Sequence, residues 1–259
     1  MQSMRRNLSR QKYLVIDTES VWDPYLREAY ADIDKKNEHP RIGCRRLLAI
    51  SLWPLEFDGL DRLSTGPMHT FVAADGQSEA DILTEAFNVM RRYSDHVIVG
   101  HGTIAHDCQI MILAAMAADL ELPAQLKEPT GPRWRDLRHI DIGLALKGSG
   151  KTWHHQTELL LRLGLPVGIM LGKADPNVRE SSVQWDRLIE HCEKDVLFAA
   201  MTLVAWLRLQ GQVSGKISGM LLALCEVFLR RRPHANCGPM LRRYADELLQ
   251  KIGPQDVAA

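Results

Sequence analysis

Three acidic segments, far apart in the sequence, carry side chains that could bind divalent metal ions. The first contains Asp17 and Glu19, the second ends at Asp107, and the third contains His191 and Asp195. If folding gathers them, four carboxylates would offer oxygen ligands and the histidine would offer a proton acceptor. Two cations about 4 Å apart can hold the attacking and the leaving oxygen of a phosphodiester in an in-line displacement. The segments therefore predict metal-dependent phosphodiester hydrolysis.

The apolar run before Asp17 and Glu19 strengthens their assignment as metal ligands. Residues 13–16 are all apolar and β-rich, which predicts a strand buried on both faces that ends before Asp17. Side chains two positions apart on an extended chain point to the same side, so Asp17 and Glu19 could reach one metal ion. The alternative is a polar strand end that faces solvent. A second Asp-x-Glu, at residues 119–121, is interpreted as a solvated helix end.

The third segment lies on a predicted helix. His191 and Asp195 are four positions apart, about 400° of helical rotation, and so share one face. Asp195 could then bind a metal ion while His191 accepts a proton from the attacking water. Cys192 and Val196 would face the core. The alternatives are an exposed ion pair for His191 and Asp195, and a helix cap for Asp107, which stands at a predicted helix start.

The elements that must position these residues follow from hydrophobic patterning. Apolar runs predict five strands, at 13–16, 47–53, 68–72, 97–100 and 140–142. Helices are predicted to begin at Ser78, with Asp81 completing a capping box, and at Asp107. Further helices are predicted at 155–163, 183–209 and 214–251, the last with a break at Pro233, while 121–139 and 167–182 are predicted loops. This order predicts a mixed sheet with helices on its faces.

The inward faces of the first two helices can be read from their apolar stripes. They are predicted to be formed by Ile82, Leu83, Ala86, Phe87 and Met90, and by Ile110, Met111, Leu113, Ala114 and Ala117.

Bulk composition narrows the protein class. The chain has 259 residues with 46% hydrophobic content, enough for one α/β domain with additions. Lys plus Arg and Asp plus Glu both number 32, which excludes a strongly basic nucleic-acid coat but not a nuclease. Five cysteines without C-x-x-C spacing indicate reduced thiols in a cytoplasmic protein. Because we find neither a secretory signal nor an apolar run of about 20 residues, no membrane contact is expected.

Four segments together resemble the DnaQ-like (DEDD) 3′–5′ exonuclease superfamily. They are residues 15–19, 99–107, 158–166 and 191–196, in the family's order, and the resemblance covers roughly residues 13–208. The most similar subgroup is the predicted exonucleases related to the proofreading domain of family B polymerases. The resemblance implies an α/β, ribonuclease H-like fold with a mixed five-stranded sheet flanked by helices. The exonuclease domain would span 13–209, between a polar lead-in at 1–12 and a helical C-terminal extension at 210–259.

The resemblance also implies a mechanism and a substrate. Asp17, Glu19, Asp107 and Asp195 would hold two Mg²⁺ or Mn²⁺ ions, with His191 as the general base. Nucleoside 5′-monophosphates would leave from single-stranded 3′ ends of DNA or RNA. The predicted substrate contacts are Thr18, His101, Arg133, Arg135, Lys151 and Lys173, and the candidate base platforms are Trp53, Trp134 and Trp153.

Three positions depart from the family pattern. His191 stands where the related subgroup has tyrosine, Gly102 where the family usually has asparagine, and His106 where it has phenylalanine. Histidine-type members usually place four residues between histidine and aspartate, whereas this chain has three. The alternative is therefore a catalytically weakened nucleic-acid-binding or scaffold protein on the same fold. The sequence leaves open DNA or RNA as substrate, the oligomeric state and the role of the C-terminal helices.

Overall fold

A mixed six-stranded sheet lies at the centre of the computed structural model, which describes residues 11–35, 41–58, 62–127, 138–171, 175–177 and 181–252. The strands are Gln11–Trp22 (β1), Arg45–Phe57 (β2), Leu63–Thr65 (β3), His69–Val72 (β4), Val97–Gly100 (β5) and His139–Asp141 (β6). Their order is β3-β2-β1-β5-β6, and β4 also pairs with β2. β2 runs antiparallel to β1, whereas β1, β5 and β6 are parallel.

The predicted α/β class and mixed sheet are confirmed, with one strand more than the five expected. The addition is β3, Leu63–Thr65, which pairs with the end of β2. Three residues are too few to show an alternating pattern, so composition alone did not reveal this strand.

Strand β1 is longer than predicted. It continues past Ile16 to Trp22, because the polar residues that follow keep their antiparallel partners on β2. Asp17 pairs with Ser51 and Glu19 with Ala49, and the register shifts just after Glu19. The first two carboxylates thus lie within the strand, held by its hydrogen-bond ladder, rather than after it.

Nine α-helices lie in the described part of the chain. They are Pro24–Ile33 (α1), Glu79–Arg92 (α2), Asp107–Ala117 (α3), Ile142–Lys147 (α4), Gln156–Arg162 (α5), Val167–Met170 (α6), Ser182–Leu209 (α7), Ile217–Arg231 (α8) and Gly238–Lys251 (α9). The capping box of Ser78 and Asp81 is confirmed, as are the long helix and the C-terminal helical segment with its break. The short helix α6 stands where only a loop was predicted.

Alternate side chains of β1 enter two cores on opposite faces of the sheet. Leu14 and Ile16 pack with α2 and α3, whereas Tyr13 and Val15 pack with α7, α8 and α9. This alternation follows from the pleat of a strand that is covered on both faces. The C-terminal helices therefore share the hydrophobic cluster that supports β1, while the proposed division at residue 209 stays a prediction.

Most of the predicted inward residues are confirmed, but two on α3 are wrong. Leu113 and Ala117 are exposed, whereas Cys108 and Ala115 are buried instead. Because α3 is apolar on nearly every side, its sequence did not define which stripe faces the core.

Among the described residues, we find no helix that is both long enough and apolar enough to cross a bilayer.

Candidate active site

One cavity of about 550 Å³ is lined by all five residues of the acidic constellation: Asp17, Glu19, Asp107, His191 and Asp195. They come from β1, from the start of α3 and from the middle of α7. The side chains are up to 178 positions apart in sequence, so the packing of α3 and α7 against the sheet brings them together. The structure gathers the predicted residues, and their catalytic and metal-binding roles remain predictions.

Strand β1 and helix α7 are joined directly at the site. The thiol of Cys192 donates to the main-chain oxygen of Asp17 at 3.5 Å. Cys192 and Val196 are both fully buried, which confirms that this side of α7 faces the core. His191 and Asp195 consequently face the cavity. All five cysteines lie within the described ranges, and each is a free thiol.

Asp107 is the first residue of α3, but its side chain does not cap that helix. The N-cap is His106, and Asp107 Oδ1 instead accepts hydrogen bonds from Thr18, at 3.1 Å from its N–H and 2.5 Å from its hydroxyl. Thr18 is buried between the two metal-ligand candidates on β1. Thr18 thus holds the Asp107 carboxylate next to β1, the strand that carries Asp17. It also lines the cavity, where it was predicted to contact the substrate.

His191 lies between two of the carboxylates. Its Nε2 is 3.5 Å from Glu19 Oε1 and 3.6 Å from Asp195 Oδ2. One potential ligand atom from each of these three residues lies within 4.8 Å of the other two. His191 as a whole is only 7% exposed, so it is largely shielded from bulk water.

The carboxylates disturb one another's ionisation. Burial raises the pKa of Asp17 well above its usual range, and the neighbouring charges of Asp195, Asp107 and Glu19 raise it further. Burial also raises the pKa of Asp107, although the Thr18 hydroxyl partly opposes this shift. A divalent cation among these oxygens would remove the repulsion, and an all-oxygen donor set suits Mg²⁺ or Mn²⁺ better than softer metals.

Glu193, also in the third segment, lies outside the cavity. It is fully buried and bonds to Arg231, Arg232 and Thr70. Burial alone would raise the pKa of Glu193, but hydrogen bonds from Arg232 and Arg231 bring it below its usual value. Sequence reasoning missed this set because the arginines follow Glu193 by 38 and 39 positions.

Two of the predicted substrate contacts, Thr18 and His101, line the cavity, and so does Trp153. His101 Nε2 donates to the His154 carbonyl oxygen at 2.8 Å, and its ring meets the Trp153 ring edge-on at 5.7 Å. Burial lowers the pKa of His101. This contact set fixes the orientation of the indole at the cavity wall.

Other predicted contacts lie elsewhere. Lys151 is exposed and does not line the cavity. Trp53 is fully buried in the core and donates to the Gly66 carbonyl oxygen, so it cannot serve as a base platform. The remaining candidates, Arg133, Trp134, Arg135 and Lys173, lie outside the described residues.

A glycine at position 102 has a local structural reason. Gly102 has φ of +79°, and its N–H donates to Asp141 Oδ1 at 2.9 Å. An added Cβ would lie 3.1 Å from the Trp153 ring, and one at Gly143 would lie 2.7 Å from it. The indole therefore rests on two glycines.

Asp141 organises this loop. It also accepts a hydrogen bond from the Ile104 N–H, a role that its position in a short predicted strand did not reveal.

Comparison with known proteins gives a likeness of fold. No protein-family model matches the chain, and no curated protein matches it. Among solved structures, this structure superposes on a polymerase chain with a TM-score of 0.50. The fold is similar to part of a DNA polymerase. The polymerase is the family B enzyme of the hyperthermophilic archaeon Pyrobaculum calidifontis, and the match covers 85% of this chain and 29% of that chain at 12% identity. At that identity the polymerase supports the fold alone.

Proposed function

We propose that the protein is a metal-dependent 3′–5′ exonuclease that removes nucleoside 5′-monophosphates from single-stranded 3′ ends of DNA or RNA. The observation that carries the proposal is the gathering of four carboxylates and His191 around one cavity of about 550 Å³. A cavity of this size suits one small ligand, such as a terminal nucleotide, rather than a duplex. The likeness to a polymerase fold agrees with a substrate of nucleic acid.

Asp17, Glu19, Asp107 and Asp195 fit a pair of divalent cations. Their donors are oxygens, all four line one cavity, and the pKa of Asp17 is raised by burial and by the charges of the other three carboxylates. Cations bound there would lower the pKa of a bound water and would stabilise the negative charge on the leaving oxygen.

Other residues of the cavity would accept the proton, orient a ligand and bind the terminal base. His191, whose Nε2 faces the carboxylates, accepts the proton of the attacking water. Thr18 holds the Asp107 carboxylate in place through two hydrogen bonds. Trp153, 36% exposed and braced by His101, offers a flat apolar face to a terminal base.

The test of the function uses the release of mononucleotides. Single-stranded DNA and RNA, labelled at the 5′ end, are incubated with the protein in Mn²⁺ or in EDTA. We expect stepwise shortening from the 3′ end in Mn²⁺ and none in EDTA. Circular single-stranded DNA is the control, since it has no end. Cleavage of the circle at the same rate, or no cleavage of any substrate, would contradict the proposal.

Metal affinity should depend on pH. Because the folded-state pKa of Asp17 is raised, its contribution to the stability of the metal-free protein is present at low pH and is lost as the pH rises through that pKa. Protons compete with the cation, so Mn²⁺ affinity should rise over the same window and binding should release protons. Calorimetry in two buffers of different ionisation enthalpy measures this release. An affinity that does not change as the pH is raised above the usual range of aspartate would contradict the prediction.

Removal of the indole at the cavity wall should weaken substrate binding. Stacking of a base on an aromatic side chain contributes about 1–3 kcal/mol, so Trp153→Ala should raise KM about 5- to 150-fold with a smaller change in kcat. Trp153→Phe should keep most of the affinity. The control is Trp206→Ala, since Trp206 is half-buried and lines a different cavity. Equal KM values for the wild type and Trp153→Ala would show that Trp153 does not stack on the terminal base.

A further inference from the structure

The third acidic segment has a second set of contacts on the opposite side of α7. Glu193 lies two positions from both His191 and Asp195, about 200° of helical rotation away from the face that they share. Its Oε1 accepts from Thr70 Oγ1 and from Arg231 Nη2, both at 2.7 Å, and its Oε2 accepts from Arg232 Nε at 2.6 Å. We call Glu193, Thr70, Arg231 and Arg232 the Glu193 clamp.

The clamp is connected to the strand that carries Asp17. Thr70 Oγ1 lies 3.1 Å from Ser51 Oγ, and Ser51 is the register partner of Asp17 on the neighbouring strand. Next to the clamp on α7, the Cys192 thiol bonds to the main chain of Asp17. The same helical turn is thus fixed to β1 through the thiol, and to β4 and the end of α8 through Glu193.

Contacts of this kind can fix the rotation of α7 about its own axis. Side chains extend about 6 Å from a helix axis, so a rotation of about 10° would move the Asp195 carboxylate by about 1 Å. A displacement of that size can reduce catalysis about 100-fold. The apolar contacts of α7 are non-directional and tolerate small rotations, whereas charge-assisted hydrogen bonds to a buried carboxylate have preferred geometry.

We propose that the Glu193 clamp is a positioning device that sets the rotation of α7 and so aims His191 and Asp195 into the cavity. No clamp residue is among the residues that line this cavity, so the clamp acts through the two side chains that do. Its effect on metal binding and cleavage rests on the proposed function. It also gives α8, in the C-terminal helical segment, a part in forming the site.

The test compares Arg232→Ala with a matched control, Arg230→Ala. Arg230 is two positions away, 69% exposed in its side chain, and paired only weakly with Glu226 at 3.9 Å. Mn²⁺ affinity is measured by calorimetry and kcat by mononucleotide release, well below the melting temperature of each variant. We expect Arg232→Ala to weaken Mn²⁺ binding about 10- to 100-fold and to lower kcat about 100-fold. The control should match the wild type.

A role limited to stability would give a different result. In that case Arg232→Ala would lower the melting temperature but leave Mn²⁺ affinity and kcat of the folded protein unchanged, which would overturn the proposal. Removal of one partner from a buried ion pair can prevent folding. If circular dichroism shows Arg232→Ala to be unfolded, Arg232→Lys is measured against the same criteria, since it keeps the charge but not the guanidinium geometry.

Hydrogen exchange separates a failure of the clamp from a failure of the proposed function. A wild-type protein that binds no Mn²⁺ would end the exonuclease proposal. The clamp is then judged by amide exchange of residues 189–197, with α2 as an internal reference on the other face of the sheet. Exchange at least about tenfold faster in α7 alone, in Arg232→Ala but not in Arg230→Ala, supports the clamp. Identical exchange in the two variants overturns it.

Discussion

Replacement of Asp17 by asparagine is expected to abolish nucleotide release while making the metal-free protein more stable. The carboxylate is a central ligand candidate, and loss of several kcal/mol of metal-supplied stabilisation corresponds to a rate loss of at least about 10³-fold. In EDTA the same change removes a buried carboxyl whose ionisation is opposed by burial and by the charges of Asp195, Asp107 and Glu19. Each 1 kcal/mol of repulsion relieved should raise Tm by about 2–4 °C in a chain of this size.

The control for this variant is Asp119→Asn. Asp119 is exposed, lies outside the cavity, and has a positive φ of 53° that asparagine accepts readily. This control should show wild-type activity and an unchanged Tm. Asp195→Ala, which removes another carboxylate that lines the cavity, should lose cleavage to the same extent as Asp17→Asn. Retention of more than a tenth of the wild-type rate in either site variant would contradict the assigned ligands.

His191→Ala is expected to lower kcat by about 10²- to 10⁴-fold, the usual contribution of a positioned acid or base. The imidazole Nε2 lies 3.5 Å from Glu19 and 3.6 Å from Asp195, so it can reach a water held among the carboxylates. Because the four oxygen ligands remain, Mn²⁺ affinity should change much less than kcat. Single-turnover cleavage and calorimetry on the same preparation separate these two effects.

Two further variants sharpen the assignment of the base. His191→Tyr keeps a ring side chain with an ionisable polar group at this position, and it should recover part of the activity that alanine loses. His234→Ala, at an exposed position outside the cavity, should have no effect. A loss of less than threefold in His191→Ala would show that another group takes the proton.

The elements of the fold were largely predictable, because apolar periodicity is a local property. The helix capped by Ser78 and the long helix Ser182–Leu209 followed from spacing and start signals within a few residues. The end of β1 did not, because Thr18 and Ser20 are polar and are held in the strand by the hydrogen-bond ladder to β2. Its extent was therefore set by a distant segment.

The gathering of the carboxylates was predictable from the order of three short motifs, but the contacts that hold them were not. The sequence predicted Thr18 only as a substrate contact, yet its two hydrogen bonds orient Asp107. Trp53 and Trp153 are equivalent candidates in sequence, yet the first is fully buried and the second is 36% exposed. Such differences depend on long-range packing, which local patterns do not encode.

We propose that Asp17, Glu19, Asp107 and Asp195 hold divalent cations in one cavity. Anomalous diffraction from crystals soaked in MnCl₂ tests it most directly, because manganese is located without any assumption about activity. If the proposal is right, two anomalous peaks lie about 4 Å apart, each contacted by oxygens of these four side chains. A map without peaks in this cavity, or with manganese bound only at other surfaces, would contradict it.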